Sequence, residues 1–203
     1  MRRILWVWLC LSGGLLSAQN ALRIDTLSPQ LDLIPYLELF ADTNGILGFD
    51  DARDLAYRSP KEDLHVLSPE LVWWVRFQID NQLDYPSKWI LYSPTVGQAD
   101  IRVLSQGQWQ QVYRSGRYVR ATEKPFNQGD FIHVPLQLAA RESVSIYMRL
   151  EELSLNPINL APILYEQSQW YSVDQNPRGP IIIFFQGIFW IMIIYNLVLF
   201  FSI

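Results

Sequence analysis

Few residues in this 203-residue chain belong to the types that carry out catalysis or bind metals. The two histidines, His65 and His133, are far apart in the sequence and have no spacing typical of a metal-binding pair. The one cysteine, Cys10, lies within an apolar N-terminal stretch. If that stretch is removed, cysteine nucleophiles, disulfide bonds and thiolate metal sites are excluded together. We therefore expect no catalytic constellation, no metal and no cofactor.

Acidic residues give two weaker chemical signals. Glu151 and Glu152 are neighbours, so on a strand they point to opposite faces and cannot form the facing carboxylate pair of a glycosidase. Asp80 can meet Glu151 only through a tertiary contact. The sequence DTNGILGFDD at 42–51 is superficially similar to a calcium-binding loop, but its glycine comes too early and Arg53 occupies the position of the bidentate glutamate. We interpret it as an Asn-Gly turn and predict that the protein is not an enzyme.

More informative are aromatic and arginine residues that alternate along predicted strands. Every second residue of a strand faces the same side, and aromatic planes together with guanidinium groups suit a sugar or a small polar ligand. We predict a ligand-binding face on one sheet that is formed by five residues: Trp74, Arg76, Tyr92, Tyr147 and Arg149. The alternatives are a solvated sheet face and a face that is covered by the segment 42–70, with its arginines paired to acidic residues.

Alternation with a period of two predicts the strands that position these residues. Residues 71–82 place Val75 and Phe77 on an apolar face and Trp74 on the opposite, half-polar face. The segment 142–152 alternates in the same way, and a turn at Gln106-Gly107 predicts a hairpin. About eight short strands at intervals of roughly ten to fifteen residues are typical of an antiparallel sandwich. We predict this all-β domain over 32–169.

The N-terminus predicts export from the cytoplasm. Residues 1–19 combine the basic start MRR, an apolar core and small residues near a cleavage point, as in a signal peptide. The net charge of −4, with no basic run, speaks against nucleic acid as a partner. We expect residues 20–180 to lie in the periplasm.

The C-terminus predicts a connection to a membrane. Residues 170–180 are rich in Pro, Gly and Asn and predict a linker, and the uncharged residues 181–203 predict a transmembrane helix. Polar residues within a span usually face other helices, and Gln186 and Asn196 are of this kind. Lys or Arg normally follows an anchor that ends in the cytoplasm, and none follows here. We expect the first helix of a truncated multi-helix region of the inner membrane.

Several motifs, taken in order, resemble one known domain. They include an aromatic-Trp-x-Arg-Phe strand that ends in Asn, a strand with Asp before hydrophobic residues, a strand with Phe before Pro-Leu-x-Leu, a Y-x-R strand and a helix with a Tyr-Asn pair. These motifs lie at Trp73 to Asn81, Asp100 to Val103, Phe131 to Leu138, Tyr147 to Arg149 and Gly187 to Phe201. Residues 36–203 are thus similar to the periplasmic (extracellular) type 2 domain and first membrane helix of bacterial seven-transmembrane receptors with diverse intracellular signalling modules.

This resemblance implies a fold and a function. The expected fold is an all-β, antiparallel, jelly-roll-like β-sandwich, similar to carbohydrate-binding modules and followed by one C-terminal transmembrane α-helix. The expected function is the extracytoplasmic sensing of a small-molecule or carbohydrate ligand, with further transmembrane helices of the full receptor as partners. The alternative is a membrane-tethered carbohydrate-binding or adhesion module.

Overall fold

The structure, a computed structural model, describes residues 21–60, 66–94, 96–126, 130–174 and 178–202. The predicted signal peptide, 1–19, and His65 lie outside the described residues. The described strands are, in chain order, β1 Leu22–Ile24, β2 Gln30–Asp32, β3 Glu38–Asp42, β4 Val66–Leu67, β5 Val72–Asn81, β6 Ser87–Ser93, β7 Gln98–Ser105, β8 Gln108–Ser115, β9 Ile132–Leu138, β10 Ser143–Glu151, β11 Ile158–Asn159 and β12 Ile163–Glu166. The α-helices are α1 Gln167–Asp174 and α2 Arg178–Ser202, and single 3-10 turns lie at Ile34–Tyr36, Asp51–Asp54 and Ala121–Glu123.

The strands form two main sheets. In the larger sheet the order is β1, β5, β10, β7 and β8, and β3 pairs with the same edge of β5 as β1 does. The β1–β5 pair is parallel, and the other pairs are antiparallel. In the smaller sheet the order is β2, β12, β6 and β9. The short strands β4 and β11 pair with each other.

The hydrophobic core lies between the inner faces of the two sheets. Val75, Phe77 and Ile79 of β5 and Trp89 and Leu91 of β6 are each 0% exposed and belong to this one cluster. Their spacing of two residues is what places them on one face of each strand. Burial of a large apolar side chain contributes about 1.5–3 kcal/mol, so this face holds the sheets together. The prediction of a mainly β, sandwich-like fold is confirmed.

The β7–β8 hairpin turns at the predicted position. Gln106 and Gly107 have φ angles of 50° and 78°, as in the two-residue turns whose twist matches that of paired strands. The register shifts between Val103 and Leu104, which marks a bulge at Gln110 of β8, opposite the end of β7. The hairpin therefore forms one edge of the larger sheet.

The structure adds elements at both ends of the predicted domain. Strand Leu22–Ile24, which precedes the predicted start at residue 32, pairs with residues 79–81. Helix α1 takes up the beginning of the predicted linker, 170–180, whose residues 175–177 lie outside the described residues. The sandwich and the predicted linker are therefore joined by a helix.

The C-terminal helix α2 contains 25 residues. Most of its described large apolar side chains are exposed within this chain, for example Phe189 at 62% and Trp190 at 60%. Within the described part of the chain, no helix was found to be long and apolar enough to cross a membrane. The membrane-spanning assignment of 181–203 stays a prediction.

Candidate functional site

Four of the five predicted ligand-binding residues lie together on the outer face of the larger sheet. Strands β5 and β10 are antiparallel neighbours, and their register places Tyr147 opposite Arg76 and Arg149 opposite Trp74. Directly opposed residues point to the same side of a sheet. Because Val75 points into the core, the alternation of β5 sends these four side chains outward, as the sequence predicts.

Tyr92 lies elsewhere, which corrects the expectation of one common face. It belongs to β6 in the smaller sheet, where it is opposite His133 on β9 and Ile163 on β12. Periodicity shows which side of its own strand a residue faces, but it does not show which strands pair. Tyr92 is therefore separated from the other four residues by the core of the sandwich.

Residues 43–58, here termed the covering segment, begin with a turn that Asp42 holds in place. The Asp42 carboxylate, whose residue is 4% exposed, accepts hydrogen bonds from the backbone N–H groups of Asn44 at 3.2 Å, Gly45 at 2.9 Å and Leu47 at 3.0 Å. Gly45 has a φ of 66°, which glycine adopts without a steric penalty. The predicted Asn-Gly turn is present, and backbone donors engage the aspartate oxygens.

The other end of the covering segment is paired with β3. The N–H of Leu39 donates to the carbonyl of Arg58 at 2.8 Å, and the N–H of Arg58 donates to the carbonyl of Leu39 at 2.9 Å. Between these anchors, the 3-10 turn Asp51–Asp54 places the fully buried Ala52 on the outer face of the sheet, with Phe49 packed beside it. The middle of the segment is thus held to the sheet by side-chain packing.

The covering segment leaves the predicted residues with little exposure. Trp74 is 0% exposed. Both arginines have carboxylate partners, since Arg76 lies 2.6 Å from Glu38 and Arg149 lies 2.8 Å from Glu151. This arrangement agrees with the alternative of a covered face with paired arginines. A ligand that contacts Trp74 therefore requires the covering segment to move.

Phe49 lies at the centre of an aromatic layer between the covering segment and the sheet. Its ring centroid lies 4.9 Å from that of Trp74 and 5.8 Å from that of Trp109, with edge-to-face geometry in both pairs. The guanidinium of Arg102 lies 4.2 Å from the Phe49 centroid. Trp109 in turn contacts Tyr147 at 5.3 Å. Contacts of these kinds contribute about 0.5–1.5 kcal/mol each beyond burial, so Phe49 anchors the segment.

Sequence reasoning missed four members of this layer: Phe49, Arg102, Trp109 and Tyr57, whose ring contacts Tyr147. One signal was available for Arg102, because the alternation of ADIRVLS places it on the polar side of its strand. The structure places Arg102 opposite Tyr147, in the same row as Arg76. Phe49 gave no such signal, because a loop residue has no periodic pattern that indicates its contacts.

Four donor groups of this layer, here termed the donor cluster, are buried and have no acceptor among the residues that the structure describes. They are Tyr57 OH, Trp74 Nε1, Arg102 Nε and Trp109 Nε1. A buried polar group without a partner costs about 1–3 kcal/mol, and such groups are rare in folded proteins. Burial raises the pKa of Tyr57, against the opposing effect of Arg76, so the phenol keeps its proton at neutral pH. The aromatic layer therefore contains more buried hydrogen-bond donors than acceptors to pair with them.

A second aromatic cluster lies on the outer face of the smaller sheet. Trp170 of α1 is 5% exposed, and its ring centroid lies 4.8 Å from that of His133, 5.2 Å from that of Tyr165 and 5.8 Å from that of Tyr92. These three partners come from β9, β12 and β6. One helical side chain therefore contacts three strands and docks α1 onto the sandwich.

A cleft of about 370 Å³ opens between the edges of the two sheets. Its lining includes Lys88, Gln111, Gln137 and Glu142. The hydroxyl of Ser105 donates to Glu142 at 2.5 Å, so this carboxylate is already engaged. Amide and ammonium groups of this kind can bind a polar ligand, which makes the cleft a secondary candidate site.

The carboxylates considered for hydrolysis do not face each other. Asp80 lies opposite Ser143 at the start of β10, whereas Glu151 lies opposite Gln98 at its end. Eight strand residues separate the two positions, which corresponds to about 25 Å and is too far for a glycosidase pair. Over the described ranges of the chain, no group of three or more His, Cys, Asp or Glu side chains is placed to hold a metal ion.

A comparison with known families decides what this sandwich is. The family described as 7TMR-DISM extracellular 2 matches residues 34–166, about two thirds of the chain. The chain belongs to this family. The 7TMR-DISM extracellular 2 match extends from the turn before β3 to the end of β12, so it includes the covering segment and every strand of the two main sheets except β1 and β2. The predicted family is confirmed, and with it the extracellular sensing domain of a membrane receptor as the class of the protein.

Other comparisons add little. A search of curated proteins found no match. Among solved structures, the insecticidal crystal protein Cry2Aa is 14% identical with a TM-score of 0.29, covering 52% of this chain and 19% of that chain. An exo-beta-1,3-galactanase from Phanerochaete chrysosporium, solved with galactose, is 17% identical with a TM-score of 0.27, covering 49% of this chain and 25% of that chain. This chain spans a quarter or less of these proteins, and similarities of this size bear on neither fold nor function.

Proposed function

We propose that this protein is the ligand-sensing domain of a bacterial membrane receptor, in which residues 20–180 lie in the periplasm and a jelly-roll-like sandwich binds a small solute. Membership of the 7TMR-DISM extracellular 2 family supports the receptor role. The observation that carries the signalling part of this proposal is the docking of α1 on the smaller sheet through Trp170.

The docking contact supplies a route from the sandwich to the segment that leaves it. Trp170 contacts β6, β9 and β12, and β12 runs directly into α1. A ligand shifts a conformational equilibrium by its difference in affinity for the two states. A solute that changes how the two sheets pack would therefore change the stability of the α1 contact.

The C-terminal helix completes the proposal. We infer that 181–203 crosses the inner membrane and meets further transmembrane helices of the full receptor. The exposed side chains of Phe189, Trp190 and Ile191 support this inference, because a contiguous apolar surface of this kind requires an apolar environment. Alkaline carbonate extraction of membranes from expressing cells tests it, and release of the chain into the supernatant would contradict it.

The signalling contact is tested by hydrogen exchange on the full chain in detergent micelles. In Trp170→Ala we expect the amide exchange rates of α1 to rise by a factor of about 100, since removal of a buried Trp side chain costs about 3 kcal/mol. The exchange rates of β5 and β10 should stay unchanged. Equal α1 exchange rates in the wild type and the variant would show that the helix is not docked, and the proposed signalling route would then be rejected.

Phe126→Ala is the matched control for this test. Phe126 contacts His133 in the same aromatic cluster at 6.4 Å, but it lies before β9 rather than on α1. Its removal should leave the α1 exchange rates close to those of the wild type. An increase as large as that of Trp170→Ala would indicate general loosening of the smaller sheet.

A further inference from the structure

The donor cluster indicates which kind of ligand the outer face of the larger sheet can take. Two indole N–H groups, one phenol and the guanidinium Nε of Arg102 are buried there without a protein acceptor in the described part of the chain. Indole and guanidinium groups only donate hydrogen bonds. A ligand that satisfies them must therefore bring acceptor atoms.

The charges around the donor cluster also favour an acidic ligand. Across the described residues, neither Arg53 nor Arg102 forms an ion pair with a carboxylate. The guanidinium of Arg53 lies over the Trp109 ring at 4.7 Å. Asp100 forms an ion pair with Arg114 at 2.9 Å, although it lies on the same face of β7 as Arg102, two positions before it. Two cationic groups are thus left without an anion beside the aromatic layer.

The position of Phe49 shows that the aromatic layer accepts a six-membered aromatic ring. Its ring makes edge-to-face contacts with Trp74 and Trp109 and lies under the guanidinium of Arg102. A phenyl ring satisfies the aromatic walls and the cation, but it offers no acceptor to the N–H groups. The same ring with a carboxylate attached would keep these contacts and add the missing acceptor. Phe49 therefore resembles a ligand that lacks its acidic group.

The covering segment is attached in a way that would let a ligand ring replace Phe49. Its two ends are fixed by Asp42 and by the Leu39–Arg58 backbone pair, whereas its middle is held by packing. Removal of Phe49 from the layer therefore requires movement of the middle only. Both anchors and the sheet beneath them can stay in place.

We propose that the outer face of the larger sheet binds a small aromatic carboxylate, whose ring replaces Phe49 and whose carboxylate accepts hydrogen bonds from Arg102 and the neighbouring donor groups. This inference rests on the proposed sensing function and names the ligand class for it. Binding displaces the middle of the covering segment, so the receptor would read the ligand as a change in that segment.

Calorimetric titration of the full chain in detergent micelles tests the ligand class. The probes are benzoate and phenylacetate, with methyl benzoate and cyclohexanecarboxylate as matched compounds that lack the charge and the aromatic ring, respectively. We expect both aromatic acids to bind, and both matched compounds to bind at least about tenfold more weakly, because a charge-assisted hydrogen bond or a cation–π contact is lost. Equal binding of the ester, or no binding of the acids, would overturn the proposal.

Two substitutions test the site. Phe49→Ala removes the competing ring, so benzoate affinity should rise by about tenfold. Arg102→Gln removes the charged donor, so affinity should fall by about tenfold or more. Arg141→Gln is the matched control, because Arg141 is an exposed arginine that pairs with Asp84 and not with a group of the layer, and it should leave the affinity unchanged. A loss of affinity in Arg141→Gln equal to that in Arg102→Gln would place the acid elsewhere.

Folding of each variant is checked by circular dichroism melting curves. If Phe49→Ala does not fold, Phe49→Leu retains apolar bulk without the aromatic ring and takes its place, with the same direction of effect. If Arg102→Gln does not fold, Arg102→Lys keeps the charge but loses the planar fork, and a weaker binding of benzoate is again expected. Unchanged affinity in the folded Arg102 variant would overturn the assignment of the site.

Failure of this inference can be told apart from failure of the sensing function. Binding of a neutral sugar such as galactose, lost in Trp74→Phe, would overturn the carboxylate class while the sensing function stands. The sensing route is tested separately, by the hydrogen exchange of α1 in Trp170→Ala, and that experiment uses no added solute. The two results are therefore independent.

Discussion

The carboxylate of Asp42 should control the stability of the covering segment. Its Oδ1 accepts from Asn44 and Gly45, and its Oδ2 accepts from Leu47 at 3.0 Å. A hydrogen bond to a charged group contributes about 1.5–3 kcal/mol, but three bonds share one carboxylate and the exposed Asn44 N–H can turn to water. We expect Asp42→Ala to lower the free energy of unfolding by about 2–4 kcal/mol.

Asp42→Asn separates the geometry of the turn from its charge. The amide oxygen can keep the bonds to Asn44 and Gly45, whereas the bond to Leu47 and the negative charge are lost. We expect a loss of about 1–2 kcal/mol, since one bond and the charge assistance of the other two disappear. Asp84→Ala is the matched control, because the Asp84 carboxylate is 83% exposed and its pair with Arg141 should contribute little.

Two measurements on the full chain in detergent micelles decide the outcome. Urea denaturation gives the free energy of unfolding, and hydrogen exchange of the amides of residues 44, 45 and 47 reports opening of the turn alone. Exchange should accelerate at all three amides in Asp42→Ala and mainly at residue 47 in Asp42→Asn. Equal losses for the two variants, or an Asp42→Ala variant as stable as Asp84→Ala, would refute the reasoning.

Three further substitutions test other parts of the sandwich. Gly116→Ala should cost about 2 kcal/mol or more in urea denaturation, because Gly116 has a φ of 117° and an added Cβ would lie 2.7 Å from the carbonyl oxygen of Gly97. Asn81→Ala should cost about 2 kcal/mol in the same assay, since the buried Asn81 amide donates to a backbone carbonyl at 2.6 Å. Burial opposes ionisation of Glu152, but hydrogen bonds from Ser154 and Gly97 together with the charge of Arg117 outweigh it and lower the pKa of this carboxyl. The ionised Glu152 carboxylate therefore stabilises the fold near neutral pH, and this effect is lost as the pH falls through the lowered pKa. Glu152→Gln should remove this part of the acid dependence of the melting temperature.

Each of these expectations has a defined failure. Gly48→Ala is the control for the glycine substitution, because a Cβ at Gly48 would meet the Asp51 carboxylate at an ordinary 3.5 Å; equal costs would show that backbone strain does not explain the effect. Asn81→Ala with unchanged stability would contradict the role of its amide. An acid dependence that is identical in the wild type and in Glu152→Gln would assign it to another carboxyl group.

The sequence predicted those features of the fold that depend on residues close together in the chain. The alternation in β5 correctly separates Val75, in the core, from Trp74, on the outer face. The turn at Gln106 and Gly107 has backbone preferences of its own, and it forms where the sequence predicts it. In both cases two or three neighbouring residues are sufficient to determine the local conformation.

Features that depend on distant pairing could not be predicted in this way. Tyr92 and Trp74 have similar alternation around them, yet they lie on different sheets, because the partner of a strand is set by long-range topology. Trp170 was assigned to a linker on composition, but its burial depends on the outer face of the smaller sheet. The contact between Phe49 and Arg102 joins a loop to β7, and no pattern in either segment indicates it.

The strand order also sets the time at which the domain can fold. β10 lies between β5 and β7 in the larger sheet, and β12 lies between β2 and β6 in the smaller sheet. Of the paired strands that the structure describes, only β7 and β8 follow each other directly in the chain. Both sheets are therefore joined by strands that are synthesised late, so a growing chain that has not reached residue 166 lacks the middle of its smaller sheet. The domain therefore cannot complete its two sheets until nearly all of it has been made, and folding dominated by such non-local pairing is slow.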